Sequence, residues 1–386
     1  MEDLYENKNP TLFSQTCDTS KGLFPDIDRK KALSVSGTCD NKIRKHGPTC
    51  KDPELGQFID EVGGLALDLR LPKIKIDLPP FIPLLDSQTA QLSSFAIPSW
   101  ATAVGLTIGD VILKGVTFKN GSWHEKEEVE YRMNLLTGNV FKDKKVILFM
   151  SGTDALIEML WYRLDDIHLY EHLNAMGFHV STGINFSVIK GECPVSQALN
   201  QKKSLASAYL SSKKGLPAMP HVYFIDNLDV KTWIKYFKKY PHIKVASLNC
   251  QLQESTIDKE VIVKGVSQIM MAIPDLHFIL TGFPLPEIHK FGSLLTRIHI
   301  ANKRASKSAQ MHQKMVISPT TLKTKMVYCP DESVGDILSH NINQQGLYVE
   351  IVKKRTLEKY EIPREMWPLV RRFFPSDTSL DDPLDF

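Results

Sequence analysis

The sequence predicts an α/β protein of the TIM-like (β/α)8 barrel class, irregular in its first quarter, with an N-terminal arm and a small C-terminal extension. Two observations predict it. Six short apolar segments rich in β-branched and aromatic residues recur between residues 146 and 301, and the windows between them carry apolar residues at helical spacing. Strands covered on both faces read as continuous apolar runs. Strands alternating with helices are the pattern of parallel βα units.

The six segments are residues 146–149, 178–182, 222–225, 245–248, 276–280 and 298–301. Two further strands are expected before them, one at 81–86 ending on Asp86, the other at 111–113 or 116–118. Asn120-Gly121 is a strong turn pair after the latter. Eight strands with a right-handed βα repeat close into a barrel, and an open doubly wound sheet is the alternative. The glycine fingerprint of a dinucleotide fold is absent, as is a P-loop lysine motif.

Between the second and third segments, Val195, Leu199, Ala206 and Leu210 recur at helical spacing. Pro194 suits a first turn and Gly215 a C-cap. Trp233 and Phe237, one turn apart, mark the next helix, with Asp229 or Asn227 as its cap. Ile262, Val266, Ile269, Met270 and Ile273 share a face of the following one, opened by Ser255 or Thr256. Ile288, Phe291, Leu294 and Leu295 form the fifth, behind Pro284 and Pro286. All these apolar residues are expected as helix-on-sheet core.

Length and composition set bounds. At 386 residues the chain exceeds one average domain. Its formal charge of +3 gives no overall case for nucleic-acid binding, so such a case needs local clusters. No apolar run approaches the roughly 20 residues that span a bilayer, and Met1-Glu2-Asp3-Leu4 lacks a signal core. Six scattered cysteines are not a disulfide framework. The expectation is a cytoplasmic protein with reduced thiols and no membrane partner.

Four regions follow: an irregular arm over 1–60, the barrel over 61–326, a small extension over 327–375 and a disordered acidic tail over 376–386. A helix is expected at 55–67. The extension is read as a strand at 347–352 and a helix at 363–374. A basic helix with Lys303, Arg304, Lys307 and Lys314 follows the last barrel strand. In the arm, Cys17, Cys39, His46 and Cys50 raise a zinc reading, but no CxxC pair occurs. Free cysteines are the expectation, and no cofactor is assigned.

In a βα barrel, chemistry lies on the loops after the strands. That rule selects Asp86, Asp154 and Asp226 as candidate catalytic carboxylates, able to serve as acid and base or to hold a cation. Helix capping is the competing role. Asn185, Ser187, Asn249, Gln251, Thr281, Gly282 and Asn302 make a ligand-binding ring of amides and hydroxyls, suited to a nucleobase or sugar. Thr281-Gly282-Phe283-Pro284 and Lys303, Arg304 and Lys307 have the layout of a barrel phosphate site. His179, His277 and His299 are read as core histidines inside strands. Cys250 beside Asn249 is a weak nucleophile candidate, and neither it nor Cys193 has a partner base in sequence.

Residues 182–315 contain Gly183-Ile-Asn-Phe-Ser187, Met219-Pro-His-Val-Tyr223, Asn249-Cys-Gln251 and Leu280-Thr-Gly282, with Pro194, Asn200, Asp229 and Trp233. In these the chain resembles an uncharacterised domain-of-unknown-function family of bacterial plasmids, phages and integrative elements. The resemblance covers a third of the chain and implies a barrel-like fold in a mobile genetic element, with no assigned reaction. A more distant likeness is to the barrels of tRNA-guanine transglycosylases. Ser151-Gly-Thr-Asp154 is the nearest match to that family's nucleophile turn, with its order disturbed, and the zinc ligands are missing.

Three functions compete. The first is a barrel acting on or binding nucleotides or nucleic acid, for which Lys303 and Arg304 changed to Ala should weaken binding and its salt dependence. The second is a hydrolase or glycosidase using two strand-end aspartates. The third is a non-catalytic interaction module working through the terminal regions.

Overall fold

A computed structural model describes residues 59–60, 62–92, 95–119, 122–137, 141–188, 194–251, 255–318 and 321–361. The architecture is mixed α/β with parallel sheets. Eight strands are parallel: β1 (Phe81–Pro83), β2 (Ala103–Thr107), β5 (Lys145–Phe149), β6 (Val180–Thr182), β7 (Ala218–Met219), β8 (Val245–Asn249), β9 (His277–Thr281) and β10 (Ile298–Asn302). They make two four-stranded sheets, ordered β1-β10-β9-β8 and β2-β5-β6-β7. Single parallel bridges join the sheets at both pairs of edges, Leu84 with Gly105 and His221 with Ser247.

Five of the six expected late strands lie where the apolar segments place them. The third is displaced. Residues 222–225 are not a strand; the strand is Ala218–Met219, followed by the bridge at His221. Pro217 and Pro220 flank the real strand, and their carbonyls pair instead, accepting from the Ser181 and Ser247 amides. Val222 and Phe224 are still buried, and Phe224 lies where a Cβ on Gly265 would meet it at 2.3 Å. That apolar run packs on a helix without extending the ladder.

The second expected strand is also elsewhere. It is Ala103–Thr107, of small and mixed residues. Residues 112–119 (β3) pair antiparallel with 122–131 (β4) in a separate pair of strands, and the expected turn at Asn120-Gly121 lies outside the described residues. Gly105 shows why a weakly β-prone segment sits here. A Cβ at this position would lie 2.4 Å from Leu84 Cδ2 and 2.5 Å from Phe149 Cε2, so only glycine admits both neighbours.

Two cores result. One cluster takes Ile82, Leu84, Ala103, Ile147, Phe149, Val180, Met219, Val245, Ile279 and Ala301, at least one from or beside each parallel strand. Ile74, Ile76 and Leu78 pack against it. The larger cluster lies between the strands and the helices. These are α1 (Ile108–Val111), α2 (Asp154–Tyr162), α3 (Leu169–Ala175), α4 (Pro194–Lys213), α5 (Asn227–Lys239), α6 (Thr256–Ala272), α7 (Arg304–Gln310) and α8 (Val334–Glu361). The expected signals place them well: Pro194 opens α4, Gly215 follows it at φ +93°, and the Ser255 hydroxyl caps α6. Asp226, not Asp229 or Asn227, caps α5. The fifth expected helix is a 3-10 stretch, Leu285–Arg297, broken at Gly292.

The strand expected at 347–352 is a correction: those residues lie inside the 28-residue α8. Tyr348, Val349 and Val352 are buried on its inner face, continuing Ile337, Leu338 and Ile342. A β-branched run has imitated a strand where a helical period continues from upstream. Ahead of α8, β11 (Gln313–Ile317) and β12 (Thr324–Tyr328) form a hairpin bonded to the helix through Asn341. The expected boundary at 326/327 falls within β12. Of the helix expected at 55–67, residues 59–60 are helical and the chain turns at residues 62–63.

The stretch from Ala66 to Leu71 is strapped onto the helices. Lys202 Nζ donates to Ala66 O and Asp68 Oδ1, both at 2.7 Å, and Tyr236, Tyr240 and His242 bond the carbonyls of Leu69, Asp68 and Leu71. Residues 1–58, with Cys17, Cys39, His46 and Cys50, lie outside the described residues, as do Cys193, residues 363–374 and the acidic tail.

Candidate ligand site at the carboxyl ends of the parallel strands

Each carboxyl end supplies a polar group, and local chain geometry sets what it faces. After β1, Asp86 turns back on its own chain. Its Oδ1 accepts from the amides of Gln88 and Thr89, and its Oδ2 from Gln310 Nε2 at 2.9 Å. After β7, Asp226 Oδ1 accepts from the amides of Leu228 and Asp229 at 2.8 and 3.0 Å. Asp154 is the first residue of α2, and its Oδ1 accepts from Ser187 Oγ at 2.6 Å, tying the end of β5 to that of β6. Asp154 and Asp226 stand at helix starts, and Asp86 holds a turn ahead of the 3-10 stretch Thr89–Gln91. Short carboxylates there satisfy free amides and complement the helix dipole.

A buried relay crosses the ends of β6, β7 and β8. His221 Nδ1 lies 2.9 Å from Ser247 Oγ, and its Nε2 lies 3.1 Å from Asn185 Oδ1. A carboxamide oxygen only accepts, so Nε2 carries the proton and Nδ1 accepts from the serine hydroxyl. His221 is 6 % exposed, and burial depresses its pKa to about 4. The imidazole is therefore neutral at ordinary pH. It fixes the half-buried Asn185 amide with Oδ1 toward the histidine, and no hydrogen bond of Nδ2 is seen among the described residues.

The opposite side carries an ion pair. Lys303 Nζ lies 2.6 Å from Asp110 Oδ2 and 2.8 Å from Oδ1. Asp110 also accepts from the Thr107 amide at 3.0 Å and from the Thr107 hydroxyl. Lys303 is thus neutralised in place. Arg304 and Lys307 are exposed on α7, one turn apart. The remaining ring members are close by: Asn249 is registered beside Thr281, and Gln251 crowds Gly282, whose φ is +76°. The Asn249 and Asn302 carboxamide oxygens accept from the amides of Gln251 and Arg304, as short turns demand.

The structure thus brings Asp154 and Ser187 together and joins Asn185 to a histidine that strand reasoning passed over. His221 stands before residues 222–225, which read as the strand, so it is not at an expected strand end. Asp110 and Thr107 lie outside the expected second strand, although Thr107-x-x-Asp110 is a capping-box signal. Cys250 is buried, and burial raises its thiol pKa, which disfavours the thiolate a nucleophile needs. His277 and His299 lie at the opposite, amino-terminal ends of their strands. Among the described residues, no group of three or more His, Cys, Asp or Glu is arranged to hold a metal, and no helix is long and apolar enough to cross a membrane.

No protein-family model matches this chain, and no curated protein matches its sequence.

Proposed function

We infer that the eight parallel strands close into one (β/α)8 barrel that binds a nucleotide or nucleic-acid base at the mouth formed by their carboxyl ends. Closure is supported by the two edge bridges and by the interior cluster that draws on all eight strands. Ile74, Ile76 and Leu78 then plug the amino-terminal end. The carboxyl-end mouth is where such barrels bind ligands.

The single observation that carries the ligand reading is the Ser247–His221–Asn185 relay. A buried neutral imidazole holds one carboxamide in one orientation, leaving its Nδ2 hydrogens and a second Oδ1 lone pair to a ligand. Donor and acceptor side by side are what a base edge offers in return. The strand-end cation Lys303 is already neutralised by Asp110, so the mouth favours a neutral polar edge over a phosphate. The mobile-element setting implied by the resemblance is part of this proposal and rests on those short motifs alone.

The test is saturation-transfer NMR and calorimetry with free nucleobases, nucleosides and nucleoside monophosphates. The expected result is saturable binding of one base class, lost in Asn185→Ala and weakened about ten-fold in His221→Phe. No binding of any of these at millimolar concentration would overturn the reading.

A further inference from the structure

Residues 288–330 contain eight lysines and arginines and no aspartate or glutamate. In a chain with a net charge of only +3, that is a strong local asymmetry. Four of the eight are accounted for. Lys290 pairs with Glu287, Lys303 with Asp110 and Lys314 with Glu332, while Arg297 donates to the carbonyls of Met270, Ile273 and Leu276. The other four, Arg304, Lys307, Lys323 and Lys325, are exposed and have no carboxylate partner among the described residues.

These four stand on α7 and the β11–β12 hairpin, which pack together. The same pieces carry an unusual share of exposed apolar side chains: Met311 at 63 %, Val316 at 45 %, Val327 at 37 % and Tyr328 at 67 %. The hairpin register sets Val316 opposite Lys325 and Val327 opposite Lys314, so aliphatic and cationic groups alternate on its outer face. Tyr328 pairs with Gln313, two residues beyond Met311 at the end of α7, so it stands at the end of the hairpin on the side opposite Val327 and Lys325. A solvated cationic face has no need of exposed apolar and aromatic side chains. A partner that is both polyanionic and faced with π-surfaces does.

We propose that α7 and the β11–β12 hairpin form a binding surface for single-stranded nucleic acid, with Arg304, Lys307, Lys323 and Lys325 on the phosphates and Tyr328 stacking on a base. This rests on the nucleic-acid reading of the mouth and extends it: a base edge is read at the strand ends and the backbone is held outside. Because α7 begins directly after Lys303 at the mouth, one strand can reach both.

The experiment is fluorescence anisotropy of the full chain with a labelled oligodeoxythymidylate, a matched duplex and anionic phospholipid vesicles, across a salt series. The single strand is expected to bind most tightly. The variant R304A/K307A/K323A/K325A should keep its melting temperature and lose about 3 from the slope of log K against log salt, at roughly 0.7 per phosphate contact. Tyr328→Ala should lower affinity roughly ten-fold with the slope unchanged. An unchanged slope in the four-cation variant would overturn the surface, as would binding to vesicles but to no oligonucleotide. Mononucleotide binding by the same four-cation variant reads the mouth separately. Its loss in Asn185→Ala with the oligonucleotide slope retained, or the reverse, tells which of the two sites has failed.

Discussion

Lys203 Nζ lies 2.9 Å from the Glu158 carboxylate, and the two side chains are 1 % and 7 % exposed. The ammonium also sits 4.2 Å from the centre of the Phe186 ring. Burial lowers the pKa of Lys203, and Glu158 opposes that shift. The pair therefore locks α2, α4 and the Asn185–Ser187 segment into one unit.

Removing one member leaves a buried charge without its partner. Lys203→Met or Glu158→Gln alone should cost about 3–5 kcal/mol, whereas the double apolar replacement K203M/E158L should recover most of that loss. Urea unfolding of the three variants measures it. Because Phe186 lies between Asn185 and Ser187, the single variants should also weaken ligand binding at the mouth. Equal destabilisation by the single and double variants would show that the pair's geometry contributes nothing.

Gly105 is held between interior side chains of two neighbouring strands. Gly105→Ala puts a methyl within 2.4 Å of Leu84 and 2.5 Å of Phe149, both flexible but both in the buried cluster between the strands. Overpacking of this kind typically costs about 1–3 kcal/mol. A thermal melt should show the drop, and the companion change Leu84→Ala in the G105A background should relieve part of it. If G105A melts like the wild type, the interior is looser than its contacts imply.

These residues also show what the sequence could and could not reveal. The late strands announce themselves because a strand buried on both faces must be apolar, as residues 245–248 and 298–301 are. β2 and β7 are hidden for the opposite reason. Gly105 is a glycine because neighbouring side chains fill the space of a Cβ, and β7 is only Ala218–Met219 between two prolines, so neither segment carries the β-branched signature. The error at β7 then hid His221, since a residue's role at a strand end depends on where the strand stops. The helix cap at Ser255 was legible because capping is local chemistry, while that at Asp226 was legible only as the competing role of a strand-end carboxylate, Asp229 or Asn227 having been expected as the cap. The Lys303–Asp110 pair was not, because it joins residues 193 positions apart in the chain.

Acid should unfold the protein through two histidines. Burial depresses His221 to about 4 and His299 to about 3, the latter with help from the nearby Lys353 cation. His299 Nδ1 donates to Pro79 O, so its Nε2 accepts from His277 Nδ1 at 3.0 Å. Protonating His299 would set two N–H groups against each other. Unfolded histidines titrate near 6.5, so between pH 6.5 and about 4 the unfolded chain binds more protons and stability falls with pH. At pH 4 each histidine costs roughly 3 kcal/mol relative to neutrality. Denaturant unfolding from pH 7.5 to 4 should show that fall, and His299→Gln or His221→Asn should flatten it. A pH profile untouched by both substitutions would remove these histidines as the cause.

Lys303 and Arg304 are adjacent in sequence and should separate cleanly in experiment. Lys303 is 20 % exposed and bound to Asp110, so Lys303→Ala leaves that carboxylate with Thr107 alone. The expected cost is about 1–3 kcal/mol of stability, with no change in the salt dependence of oligonucleotide binding. Arg304 is exposed, so Arg304→Ala should change stability by less than about 0.5 kcal/mol. It should instead lower the salt slope by roughly 0.7. Melting temperature and anisotropy on the same two variants decide the matter. A flattened slope in Lys303→Ala would mean that the ligand takes the lysine from Asp110 on binding, and the phosphate contacts would then begin at the mouth itself.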